Sequence, residues 1–181
     1  SLQKSDIINL LLTFTEVLIS CWILILVSKR ENPKITSRQI ILIILLLLAV
    51  QAIKVTFPST TSPLSMIVPP ALIISQGMGT ITALAWVSIA SLNWPEYAIP
   101  INNTLFFISL VCASVVSVLG GRIRSRAQLL QLSIIVPLGA FFSQWILIGG
   151  NQASILWNQE LGISNNKIFS DCLLLAIIML L

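Results

Sequence analysis

The sequence contains no histidine. That removes histidine-dependent catalysis and most metal sites from this stretch of chain. Charge is scarce as well. Charged residues make up 9% of the chain, whereas a soluble domain carries about a quarter. Cysteine is limited to Cys21, Cys112 and Cys172, all within apolar runs. Their odd number and their spacing match no metal site, so they read as small packing residues. There is no phosphate-binding loop, no nucleophile–base pair and no cysteine metal cluster. The first apolar stretch lacks the small-residue cleavage site of a signal peptide. The net charge of +4 comes from two short basic clusters and gives no reason to invoke nucleic acid.

What the chain has is apolar length. Hydrophobic residues make up 56% of it and mean hydropathy is +0.99. The few charges cluster between long apolar runs, which is the pattern of helices crossing lipid. A membrane β-barrel would show strands alternating apolar and polar residues. Here the runs are continuously apolar, as from Ile40 to Val50. The expected fold is therefore all-α, a polytopic transmembrane bundle of about seven helices, two of them short or re-entrant.

Spans are predicted from Ile7 to Val27, Gln39 to Phe57, Leu105 to Leu119 and Leu129 to Ile148, with a last one starting near Ile168. Between Leu64 and Leu92 the pattern is interrupted by Pro69, Pro70 and the run Gln76-Gly77-Met78-Gly79. One kinked span, two short spans or a re-entrant hairpin would each fit. The positive-inside rule narrows the choice. Lys29, Arg30, Lys34 and Arg38 form one basic cluster; Arg122, Arg124 and Arg126 form the other. If both are cytoplasmic anchors, an even number of crossings separates them, so the interrupted segment contributes two or none. Two short spans are preferred, giving seven in all, with the N-terminus outside and the C-terminus leading into the cytoplasm. The chain starts at Ser1 and ends within an apolar run. It is expected to be a single transmembrane domain, residues 1–181, excised from a longer protein.

Charges within lipid are costly and mark candidate sites. Glu16 lies near the middle of the first span. It reads either as a ligand-binding or switchable carboxyl, or plainly as a protonated group or a partner of Lys54. Lys54 is expected to snorkel to the outer interface. Gln76, Gln131 and Gln144 are expected to bond between helices, and Asp171 to sit at the outer end of the last span. Glu16, Lys54 and Gln76 make up the candidate intramembrane polar site. Pro69, Pro70, Gly77 and Gly79 make up the candidate hinge or pocket, because a broken helix frees carbonyls that neighbours or water must satisfy. The tryptophans Trp22, Trp94, Trp145 and Trp157 fall near predicted span ends, as an aromatic belt does.

The order of features resembles the membrane core of the bacterial seven-transmembrane HD-phosphohydrolase receptors, a family that includes PgpH-like cyclic di-AMP phosphodiesterases. The resemblance rests on the basic, proline-bearing loop Lys29-Arg30-Glu31-Asn32-Pro33 with Ser37-Arg38, and on the Pro69-Pro70-Ala71 region. It rests also on the turn Gly120-Gly121-Arg122-Ile123-Arg124-Ser125-Arg126, followed by Ala127-Gln128-Leu129-Leu130. It implies a bacterial plasma-membrane protein with an extracellular sensory domain before this chain and a cytoplasmic HD phosphodiesterase after it. The divalent metal pair would belong to that HD domain, and this segment would hold no cofactor and no catalytic residue. The expected partners are the bilayer, those two domains and, as an option, a second copy of the chain. The alternative reading is a small-solute, vitamin-type transport subunit in which Glu16 and the interrupted segment line a substrate site.

Overall fold

The computed structural model describes residues 4–57, 62–93, 103–123, 125–155 and 165–180. Seven α-helices run through the described residues, with no strand among them: α1 (Lys4–Glu31), α2 (Ser37–Thr56), α3 (Pro63–Met78), α4 (Thr80–Leu92), α5 (Asn103–Gly120), α6 (Arg126–Ile155) and α7 (Asn165–Leu180). Three of them, within α1, α2 and α6, are long and apolar enough to cross a membrane by length and composition. At 16 and 13 residues, α3 and α4 span roughly 24 and 20 Å at 1.5 Å per residue. Both fall short of the ~30 Å hydrocarbon core. The segment that the sequence left ambiguous is thus two short antiparallel helices.

Local chemistry sets the helix ends. Lys29 and Arg30 lie in the last turn of α1, where cations offset the negative end of the helix dipole. This carries the helix into the stretch expected to be loop. At the start of α2, the Thr36 N–H donates to Gln39 Oε1 at 3.1 Å, the return half of a capping box. Ser62 caps α3 by accepting from the Ser65 N–H at 3.3 Å, and Pro63 occupies the first turn, where its missing N–H costs nothing.

The helix α3 is the centre of the bundle. It packs against α2, α4, α5 and α7, whereas α1 rests on α2 and α4, and α6 rests on α5 and α7. Twelve of its sixteen residues are buried. Its closest companion is α5, whose buried side carries Ser109, Ala113, Val116, Ser117 and Gly120. Small residues at four-residue spacing let two backbones approach, which is how helices associate where lipid removes the hydrophobic drive. The approach is tightest at Gly120. A Cβ there would collide with the Ser75 hydroxyl and lie 3.1 Å from Leu72 Cδ1.

Three connections meet at one end of the bundle. Asn32, between α1 and α2, donates from Nδ2 to the Met78 carbonyl at 2.6 Å. Gly120 lies against Ser75, and Gly121 faces the Thr80 side chain. The α1–α2 loop, the α3–α4 junction and the α5–α6 turn are therefore neighbours. Lys29, Arg30, Lys34, Arg38, Arg122 and Arg126 all lie at this end and are exposed; it is called the basic end below. Arg124 lies outside the described residues. Four helices, α2 to α5, lie between the two clusters along the chain.

Candidate functional site

The prolines do not break α3. Pro69 and Pro70 are buried inside a continuous helix. A proline φ near −65° is already helical, and the loss is confined to the donors that would have served the carbonyls of Ser65 and Met66. Gly77 is an exposed helical residue with open space around it. The break lies at Gly79 alone, with φ 102° and ψ 166°. A side chain is strained in that region. Gly79 closes one helix and opens the next: its N–H donates to the Ser75 carbonyl at 3.2 Å, and its carbonyl accepts from the Ala83 N–H at 3.2 Å. Of the four residues of the candidate hinge or pocket, Gly79 is the one at which the helix is interrupted.

At the far end of the bundle, α4 terminates in a polar cluster. The Asn93 carbonyl accepts from Lys54 Nζ at 2.8 Å and from Gln51 Nε2 at 3.4 Å. Lys54 Nζ also donates to Gln51 Oε1 at 3.1 Å. Asn93 Nδ2 donates to Ser20 Oγ at 2.9 Å, and the Ser20 hydroxyl donates to the Glu16 carbonyl at 2.8 Å. Lys54 is only 4% exposed. It does not snorkel outward as expected. It caps the C-terminus of α4, where exposed carbonyls attract a cation. The Glu16 side chain is on the exposed side of α1. Lys54, Gln51, Asn93 and Ser20 are thus joined by hydrogen bonds, and Glu16 touches this cluster through its backbone carbonyl.

Gln76 does not belong to this cluster. It is exposed and lies near the end of α3 that meets Asn32, whereas Lys54 is at the other end of α2. Gln131 is exposed too. Gln144 is 2% exposed, yet neither amide atom has a partner, so the interhelical bonding expected of it is absent. Asp171 is half-buried near the start of α7. Trp22 is exposed on α1; Trp94 and Trp157 lie outside the described residues, as does the side chain of Trp145.

Sequence reasoning missed Ser20, Asn93 and Asn32. Each is an ordinary residue in the chain and acquires a role only through a partner on another helix. The face of α1 carrying Ser20, Leu24 and Ser28 at four-residue spacing is the one signal that could have found the α1–α4 contact.

The architecture, seven apolar helices with both basic clusters at one end and no strand among the described residues, defines a polytopic helical membrane protein. The sequence matches the family described as 7TM receptor with intracellular HD hydrolase over residues 7–181. The chain belongs to that family, and what it spans is the seven-helix membrane receptor. No curated protein and no solved structure matches it. These comparisons lend no support to a transport subunit.

Proposed function

We propose that this chain is the membrane relay of a sensory phosphodiesterase. A sensing domain outside the cell would act on α1, and α7 would lead into a cytoplasmic HD domain that hydrolyses a cyclic dinucleotide. The divalent metal pair for that reaction would reside in the HD domain. The observation that carries this reading is the family match across residues 7–181, whose description joins a seven-helix receptor to an intracellular hydrolase. The basic end would face the cytoplasm of a bacterium, because lysine and arginine are retained on that side during insertion. The N-terminus would then lie outside.

The packing supplies a route for the signal. The helix α1 leans on α2 and α4; α4 is joined to α3 through Gly79; α3 packs against α7. A shift of α1 would reach α7 through α4 and the central helix, by the small helix displacements common in receptors.

The test is a disulfide lock in the full-length protein. Ser20 and Asn93 touch across α1 and α4, so Ser20→Cys with Asn93→Cys, in a background lacking the three native cysteines, would tie those helices together. Metal-dependent hydrolysis of cyclic di-AMP by the protein in nanodiscs is then measured with and without the domain preceding α1. Hydrolysis that responds to the outer domain when reduced, and loses that response when oxidised, is the expected result. A rate indifferent to both the lock and the outer domain would falsify the relay.

A further inference from the structure

We infer that the seam between α1 and α4 holds an ordered water, bound by Ser28, Thr82 and Trp86. Three polar atoms there are buried without a partner: Ser28 Oγ, Thr82 Oγ1 and Trp86 Nε1. Their residues are 1%, 1% and 0% exposed. In lipid no bulk solvent reaches such groups, and an unmade hydrogen bond carries its full desolvation penalty.

Register brings the three together. The helices α1 and α4 run antiparallel, and their alignment is fixed near both ends. Asn93 Nδ2 meets Ser20 Oγ at 2.9 Å, and Asn32 Nδ2 meets the Met78 carbonyl, just before α4, at 2.6 Å. Interpolating between these contacts places Ser28 level with the turn from Thr82 to Trp86. The faces agree as well. Ser28 continues the buried row Ser20, Leu24 on α1, and Thr82 and Trp86 continue the row Ile89, Asn93 on α4. Residues at those spacings share one side of a helix.

The chemistry selects the occupant. The register puts the three atoms in one seam, yet none makes a hydrogen bond to another, so they are set apart from direct pairing. Polar groups separated in that way are bridged by water. An indole N–H only donates, and the two hydroxyls both donate and accept. One water accepts from the indole and satisfies both hydroxyls, giving the three bonds typical of a buried water. A cation is disfavoured by the indole donor. An anion would be a buried charge without a buried counter-ion beside it, since Lys29 and Arg30 are exposed.

The experiment is proton-detected solid-state NMR of the full-length protein in bilayers, with ¹⁵N-labelled tryptophan indoles. The Trp86 resonance is identified by its loss in Trp86→Phe. Magnetisation transfer from water to that indole is expected, and it should weaken in Ser28→Ala and in Thr82→Val while the resonance itself remains. The melting temperature should fall in each of these two variants, and the double variant should fall no further than the worse single, because both hydroxyls hold the same water. No transfer to Trp86, or a melting temperature raised by Thr82→Val, would overturn the inference. So would an indole shift that follows replacement of chloride by gluconate, which would identify an anion instead. None of these readouts depends on hydrolysis, so the water site stands or falls separately from the relay.

Discussion

At the scale of single residues, three positions carry consequences that a measurement can reach. Lys54 is a buried cation whose ammonium caps α4 through the Asn93 carbonyl. Replacing it with methionine keeps the apolar stem and removes the donor to the Asn93 carbonyl and to Gln51 Oε1. Leaving buried polar groups unpaired costs about 1–3 kcal/mol, so Lys54→Met should melt earlier by that measure in thermal unfolding of the detergent-solubilised protein. Gly79→Ala places a side chain at φ 102°, a conformation costing about 1–3 kcal/mol for residues other than glycine. The same assay should show a loss of that size, and Gly77→Ala, where the added methyl meets nothing, should show none. The candidate site was half legible at this scale. Glu16 and Lys54 announced themselves as charges within apolar runs. Ser20, Gln51 and Asn93 could not, because a serine, a glutamine or an asparagine becomes a ligand of the cluster only when another helix delivers its partner. Gln76 looked equivalent to Lys54 in the sequence, and direction of travel along α3 put it at the wrong end.

At the scale of elements, the packing of α3 on α5 rests on one close approach. Gly120 admits the Ser75 hydroxyl, which is itself held by donating to the Leu72 carbonyl at 3.0 Å. Gly120→Ala should therefore destabilise the bundle by about 1–3 kcal/mol, the usual cost of overpacking. Ser75→Ala in the same chain should recover part of the loss, and a double-mutant cycle in thermal unfolding would read that coupling. The existence of the helices was plain from the continuous apolar runs. Their ends were not. The helix α6 continues through Gly149 and Gly150 to Ile155, where the sequence suggested a loop, because glycine is tolerated in helices of the membrane region. The prolines of α3 misled for a related reason. They remove two donors but leave φ helical, and burial against four neighbouring helices keeps the segment helical through them.

At the scale of the whole molecule, the two basic clusters share one end, and this gives the orientation a direct test. A cysteine introduced at Lys34 should react with an impermeant thiol reagent in inside-out vesicles and be silent in intact cells. Labelling from outside would reverse the assignment of both termini. The same architecture has a mechanical side. The helix α3 is braced by four neighbours, while α1 leans on two. A load applied through α1 would meet this outer stave before the central mast, and Gly79 is the covalent joint between α4 and that mast, which also pack side by side. Because hydrogen bonds pin α1 near both ends of α4, the relay proposed above would hand a displacement of α1 to α4 as a pair moving together, and so to the mast through the Gly79 joint.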